Sequence, residues 1–399
     1  MLLLIAAGFA LGIVGFQLLY LVLSLRLTAP RPARAPAAMP ADLPKTSVVI
    51  PLHDCAQTIG PCLRALLAAD LGLVSDIIVV NDRSTDGGDA IARSYAPAFR
   101  DRDVPMRVLT LPRGKAGKVA ALLFAGTKAR NDLQLLMDAD IVVNPSAVTA
   151  LVAFHHARGA EFSSGMIYPQ APAGRTDIAT QIICNNRLYR QGILQAVKNL
   201  YGTANFPGGL QLVSFAAYRA LLVHGFLEDL TATYRVLAEN RRIEILDQIL
   251  AYEIERASLK STYLQRLRWT IGAIQHLRTQ WRTAATRKNP LEWLLINSYH
   301  VMWELQHYVI TLSGLIAVAG LGDPGWISLV FALPWLTYAA QILRSAWLGR
   351  GAVPNSALGL LAHCAVFPIL ITGALAGAVW KLLRNRAYYF YDATLYRRS

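Results

Sequence analysis

Two hydrophobic regimes divide this chain. Near-continuous apolar runs hold its two ends, and short β-branched runs alternating with helical periodicity fill the part between. Leu2 to Leu25 is almost wholly apolar, broken by Gln17 and Ser24, and is long enough to cross a hydrocarbon core of roughly 30 Å. Thr28 to Pro44, rich in Ala, Pro and Arg, predicts a semi-extended linker. Ser47 to Pro51 predicts a strand, Gln57 to Ala69 a helix, Asp76 to Val80 a strand ending at Asp82, and Asp86 to Tyr95 a helix. Arg107 to Leu111 is the next strand and Gly117 to Arg130 the next helix. Leu133 to Met137 is then the strand that delivers Asp138 and Asp140. Pro145 is expected to open a further helix in its first turn. Such alternation predicts a mostly parallel sheet covered on both faces.

From about Phe162 the pattern is mixed, with a turn at Pro207-Gly208-Gly209, and no internal repeat emerges. Two helical stretches follow, carrying Asp229 to Glu239 and Tyr263 to Trp281. Beyond Asn289 lie three apolar segments: Trp293 to Leu321, Trp326 to Leu343 and Ala357 to Trp380. The first contains His300, Trp303, Glu304, Gln306 and His307, so its early half either lies along a membrane surface or turns these groups into a bundle interior. One anchor plus three spans puts the carboxyl terminus outside. The tail's Lys381, Arg384, Arg386, Arg397 and Arg398 favour the inside. Either one segment does not span, or the charge rule fails at this tail.

With 399 residues the chain has room for one catalytic domain and a membrane portion. The hydrophobic fraction is 54% and the charged fraction 16%, a shift concentrated at the ends. A cleaved signal peptide is the alternative reading of the first run. No positive charge precedes it, however, and Arg26, Arg31 and Arg34 follow it, which favours a retained anchor with the next domain in the cytoplasm. Cys55, Cys62, Cys184 and Cys364 are scattered without metal or disulfide spacing. The net charge of +14 sits largely beside apolar segments, at Arg278, Arg282, Arg287 and Lys288 and again at Lys381, Arg384 and Arg386. That placement points to membrane lipids as partners and away from nucleic acid.

The candidate chemistry lies between the apolar ends. Asp82 ends one apolar strand, and Asp138 and Asp140 end another, so all three should emerge at the carboxyl edge of the sheet, where nucleotides bind in open α/β folds. Two carboxylates around one small residue can bind a hard divalent cation and so neutralise a diphosphate, or they can be solvated turn aspartates. Asp82 can accept from a nucleobase or ribose, or cap a helix. Lys118, after Gly117 at a helix start, can contact base or phosphate, or remain in solvent. Glu228 and Asp229 open a helix and can simply complement its dipole. A displacement at an anomeric carbon, though, needs one carboxylate to deprotonate the acceptor, and Asp229 is the best candidate, with Glu228 setting its position or protonation. Gln265 and Trp269 share a helical face with Arg268 beside them. The indole can stack on a sugar and the guanidinium can pair with phosphate; Arg266, Arg278 and Arg282 fit a basic membrane-surface helix.

In this order the signatures Val79-Val80-Asn81-Asp82, Asp138-Ala139-Asp140, Glu228-Asp229 and Gln265-Arg266-Leu267-Arg268-Trp269 resemble the membrane-integrated family 2 glycosyltransferases with the Q-x-x-R-W motif. That group includes bacterial cellulose, hyaluronan, chitin-oligosaccharide and poly-N-acetylglucosamine synthases and the ceramide or hopanoid lipid glycosyltransferases. The resemblance spans about Thr46 to Trp281. It implies a GT-A type, Rossmann-like α/β fold with a mostly parallel sheet flanked by transmembrane helices. The implied domains are an anchor over 1–25, a linker over 26–45, a cytoplasmic transferase over 46–281 and a membrane region over 282–399.

The resemblance also implies roles. Asp82, Lys118 and Asp138 would hold the nucleotide, Asp138 and Asp140 a Mg²⁺ or Mn²⁺ ion, and Asp229 would be the base beside Glu228. Gln265, Arg268 and Trp269, with Gly208 and Gly209 in an acceptor-proximal loop, would hold the diphosphate and acceptor. Leu227 stands where the family usually has Thr, and the usual Asn after the Gly-Lys helix motif is replaced around Leu123 to Gly126. The expected activity is an inverting, metal-dependent transfer from a nucleotide sugar, UDP-linked by preference, at the cytoplasmic face of a bacterial-type inner membrane. The acceptor is a lipid, with a polysaccharide made by a synthase with export or accessory subunits as the alternative. An inactive scaffold subunit is the remote third reading.

Overall fold

The computed structural model describes residues 2–225, 227–256, 258–280, 290–319, 325–353 and 355–385. The expectations placed on Trp281, Arg282, Arg287, Lys288, Leu321, Arg386, Arg397 and Arg398 lie outside the described residues. So do those on the side chains of Arg278, Trp293, His300 and Trp303.

In chain order, α1 (Leu2–Leu25) is followed by β1 (Arg31–Pro32), β2 (Thr46–Leu52), α2 (Ala56–Ala68), β3 (Val74–Asn81), α3 (Gly88–Ser94) and α4 (Ala96–Arg100). Next come β4 (Met106–Thr110), α5 (Lys118–Gly126), β5 (Leu133–Met137), β6 (Ile141–Val143), α6 (Ala147–Ala157) and β7 (Phe162–Gln170). Then α7 (Ile178–Tyr201), β8 (Leu210–Ser214), α8 (Phe215–Tyr218), α9 (Glu228–Ala238) and β9 (Glu244–Ile254) lead into α10 (Leu259–Gln280). The last helices are α11 (Pro290–Ala319), α12 (Trp326–Leu348) and α13 (Ala357–Arg384). These elements form two compact units. One holds the sheet with α2 to α6, α8 and α9; the other holds α1, α7 and α10 to α13.

The sheet runs β1-β9-β7-β8-β5-β2-β3-β4, with β6 on β9. Strands β5, β2, β3 and β4 are mutually parallel, whereas β8 is antiparallel to β5 and β7, and β6 to β9. Val48, Val49, Ile50, Ile77, Ile78, Val79 and Val80 are fully buried, as the apolar runs of parallel strands require. Strand order reverses at β2: β3 and β4 lie on one side and β5 on the other. The carboxyl ends of β3 and β5 therefore open at a topological switch point.

Helix α5 is shorter than its apolar pattern suggests and ends at Gly126, which lies against Phe215. Pro145 does not open α6. The chain is still bonded to β9 through Asn144 N to Leu250 O at 2.8 Å, so Ser146 is the N-cap and Pro145 precedes it. Its carbonyl accepts instead from Asp70 N at 2.9 Å.

In the helical unit α1 packs on α11 and α12, and α10 and α11 pack on α13. Gln17, Tyr189, Gln306 and Gln341 are buried there and hydrogen-bonded to one another. Two helices, Leu3–Leu25 and Ala357–Arg384, are long and apolar enough to cross a membrane.

Gly165 in β7 faces β9 so closely that an added Cβ would lie 2.7 Å from Leu250 Cγ and 3.0 Å from Leu246 O. We expect Gly165→Ala to destabilise the sheet unit by about 1–3 kcal/mol through overpacking, read as a fall in its thermal midpoint. An unchanged midpoint would show that β7 and β9 are not held this tightly.

Candidate active site

Three chain segments meet at the carboxyl edge of the sheet. The first follows β3. Asp82 is 6% exposed, and its Oδ2 accepts from Gly117 N at 2.7 Å while Oδ1 pairs with the Arg83 guanidinium. Gly117 has φ +85°, a conformation open to glycine, and it caps α5 so that Lys118 is the first helical residue. Asp82 thus fixes the turn that launches Lys118.

The second segment follows β5. Asp138 N donates to Gly209 O at 2.8 Å, and Leu210 N to Gly208 O at 2.7 Å, which locks the Asp138-Ala139-Asp140 turn to the Gly208-Gly209 turn. Both glycines have positive φ, +77° and +65°. A Cβ on Gly208 would sit 3.1 Å from Asp229 Oδ2, and one on Gly209 would sit 2.7 Å from Ile141 Cδ1. Only glycine lets the backbone pass here.

The third segment is the start of α9. Glu228 and Asp229 occupy its first turn, where the helix dipole favours acids, and Asp229 Oδ1 accepts from Leu230 N at 2.8 Å. The Lys118 ammonium joins all three: it lies 2.7 Å from Asp138 Oδ1 and 2.8 Å from Glu228 Oε1. A small cleft beside it is lined by Pro51, Met137, Gln211, Gly209 and Tyr218 as well as these ions. Tyr218 Oη donates to Gln211 Oε1 at 2.8 Å.

The electrostatics follow from this crowding. Burial acts to lower the Lys118 pKa, but Asp138, Glu228 and Asp229 outweigh it and hold the ammonium well above its ordinary value. Burial pushes the Glu228 carboxyl up; Lys118 pulls it back and Asp229 pushes it up again. Burial, Glu228 and Asp229 raise Tyr218, so its phenol stays protonated. Burial raises the Cys62 thiol, helped by Asp140 and Asp138, and it is inert.

Asp138 and Asp140 offer hard oxygen donors of the kind Mg²⁺ and Mn²⁺ take. Among the described residues no group of three His, Cys, Asp or Glu forms a metal cage. A cation held by Asp138 and Asp140 would take its remaining oxygens from water or a diphosphate, as such ions do.

Asp82, Lys118, Asp138, Asp140, Gly208, Gly209, Glu228 and Asp229 all belong to the sheet unit. Gln265, Arg268 and Trp269 lie on α10 in the helical unit. Gln265 is buried, and the Trp269 ring is covered by the guanidinium groups of Arg266 at 4.1 Å and Arg190 at 4.6 Å. Sequence reasoning missed Arg83, Gln211 and Tyr218. Arg83 was available as the neighbour of Asp82; Gln211 and Tyr218 carried no local signal.

A family profile for glycosyl transferase family 2 matches residues 47–222, and one for glycosyl transferase family group 2 matches residues 135–376, more than half of the chain. The chain belongs to glycosyl transferase family group 2. The probable glycosyltransferase YdaM of Bacillus subtilis (strain 168) is 26% identical over 245 residues, covering 58% of this chain. The chain spans 56% of the length of that relative. The mannosyltransferase PcManGT from Pyrobaculum calidifontis, solved in complex with GDP-Man and Mn²⁺, has a TM-score of 0.62 at 18% identity. The match covers 96% of this chain and 99% of that one. The likeness is one of fold, GT-A-like with a mostly parallel mixed sheet.

Lys118→Met leaves Glu228 buried without its ammonium, so the Glu228 pKa should rise further. The acidic limb of the pH–rate profile is expected to move to higher pH, with a lower maximum. A profile that keeps its shape and position would separate Lys118 from the reaction.

Proposed function

We propose that the chain transfers a sugar from a nucleotide-diphosphate sugar, UDP-linked by preference, to a membrane-associated acceptor with inversion at the anomeric carbon. The observation that carries this reading is the joining of the Asp138 turn, Lys118 and the Glu228-Asp229 helix start at the edge of a GT-A-like sheet. Asp229 takes the proton of the acceptor hydroxyl. That oxygen forms a bond to the anomeric carbon, while the bond from that carbon to the diphosphate oxygen breaks and its electron pair leaves with the nucleotide. Glu228, held by Lys118, keeps the start of α9 in place, and Gly208 admits the substrate beside Asp229. Asp82 positions the nucleoside through the Gly117 turn. A divalent cation between Asp138, Asp140 and the diphosphate would neutralise the leaving group's charge; the Mn²⁺ in the Pyrobaculum calidifontis complex supports this assignment.

We assign the helical unit to a multi-pass anchorage in the inner (plasma) membrane, with the sheet unit on the cytoplasmic side. α1 and α13, both long and apolar enough to span, support the anchorage. The acceptor is then a lipid. The processive polysaccharide reading rests on the buried polar side chains Gln17, Tyr189, Gln306 and Gln341, which a glycan path would need. These groups bond to one another, however, and so fill the space they enclose.

Membranes containing the full chain, given a panel of radiolabelled nucleotide sugars, are expected to place label in a discrete solvent-soluble lipid. A solvent-insoluble polydisperse product would overturn the lipid assignment. Asp229→Asn should bind donor yet lose about 10²- to 10⁴-fold in rate, as expected for a lost general base; near-normal turnover would remove Asp229 from that role. Chelation should stop turnover and Mg²⁺ or Mn²⁺ should restore it, except in Asp140→Ala. Full activity in excess chelator would contradict a metal-assisted departure.

A further inference from the structure

Ahead of β8 the chain of the sheet unit runs without regular structure, yet residues 203–207 are all buried. A buried irregular segment has to be fastened by partners outside any helix or strand ladder. Two threonine hydroxyls fasten this one. Thr203 Oγ1 donates to Ile243 O and accepts from Ile243 N, both at 3.0 Å, which holds the start of the segment just ahead of β9. Phe206 N donates to Thr233 Oγ1 at 3.1 Å.

Thr233 lies on α9, one turn after Asp229, and is 1% exposed. Its hydroxyl also donates to Asp229 O at 2.9 Å. A bond from a helical threonine to the carbonyl four residues back is common and carries no information alone. The bond from Phe206 does, because it leaves the helix and reaches the residue two before Gly208. One hydroxyl, donor and acceptor at once, links the first turn of α9 to the Gly208-Gly209 turn.

The far side of that link is fixed. The Phe206 ring meets Phe162 of β7 at 6.2 Å and Tyr218 of α8 at 5.9 Å, both edge to face. Tyr218 is bonded in turn to Gln211 of β8. Gly209 O accepts from Asp138 N at 2.8 Å. A path of neutral bonds therefore runs from Asp138 through Gly209, Phe206 and Thr233 to Asp229. The Lys118 contact reaches the same helix turn through Glu228 and depends on charge; the Thr233 contact does not. What it holds is the approach to Asp229: Oδ1 accepts from Leu230 N at 2.8 Å, and Oδ2 faces the Gly208 turn, where an added Cβ would lie 3.1 Å away.

We propose that Thr233 is a positioning residue for Asp229, its hydroxyl setting the gap between that carboxylate and the Gly208 turn where the acceptor hydroxyl is received. This rests on the transferase reading above, in which Asp229 takes the acceptor's proton. Thr233 acts through the backbone of Asp229 and not on the reacting atoms.

Three substitutions separate the hydroxyl from the shape of the side chain. Thr233→Val keeps the volume and loses both bonds, Thr233→Ala loses both bonds and volume, and Thr233→Ser keeps the hydroxyl and loses a methyl. The full-length proteins in membranes are compared for kcat and donor KM, well below each thermal midpoint. Thr233→Val and Thr233→Ala are expected to lower kcat by about 10- to 10²-fold, the scale of a displacement approaching ~1 Å, at unchanged donor KM. Thr233→Ser should recover most of that loss. A packing role gives another order, with Thr233→Val near wild type and the two smaller residues impaired, and overturns the proposal. A loss confined to donor KM overturns it too. Hydrogen exchange without substrate reads the link itself: the peptide over residues 203–209 should lose about tenfold in protection at Phe206 in Thr233→Val, the scale of one hydrogen bond, and keep it in Thr233→Ser. Unchanged protection in Thr233→Val overturns the link. Exchange needs no turnover, so the two readings fail separately. Lost protection in a protein whose wild type transfers from no donor removes the transferase reading and leaves the link; wild-type kcat in Thr233→Val removes the role of Thr233 alone.

Discussion

The site depends on one ammonium. Asp138, Glu228 and Asp229 come from segments far apart in sequence, and three carboxylates cannot share a half-buried edge in ionised form without a counter-charge. Lys118 supplies it at 2.7 Å and 2.8 Å. The other local features serve that contact. Asp82 holds the Gly117 turn that sets Lys118 at the head of α5. Gly209 holds Asp138 through its backbone. Gly208, with no side chain, leaves Asp229 accessible.

The helical unit solves its charge problem differently. Arg187 and Glu255 close on each other in a pair whose value lies in not leaving either alone, because breaking a buried pair strands a charge. Arg266 and Arg190 instead spread their charge over the face of Trp269, a favourable but partial compensation.

Much of the sheet was legible in the sequence, because β3 and β5 are largely apolar runs followed by Asp82 and Asp138. The strands after β5 were not: β6 is only three residues long, β7 and β8 lie where the pattern is mixed, and their antiparallel pairing depends on contacts distant in sequence. Helix α7 escaped notice because its apolar face, through Ile182, Tyr189, Ile193 and Val197, is interleaved with Asn185, Asn186, Arg187, Gln191 and Gln195, which are buried as well. At the site, each acidic motif could be placed at a strand or helix end. The pairing of Lys118 with Glu228 could not, since nothing local links residues so far apart. Arg266 read as a basic surface residue, and burial alone changes that meaning.

The most direct test of the ammonium's role is a double-mutant cycle in sugar transfer, comparing kcat/KM for wild type, Lys118→Met, Glu228→Gln and the double variant. If Lys118 acts through Glu228, the two losses overlap, with a coupling of at least about 1 kcal/mol, the range found for residues in contact. Losses that add to within about 0.3 kcal/mol, as for independent sites, would contradict the account.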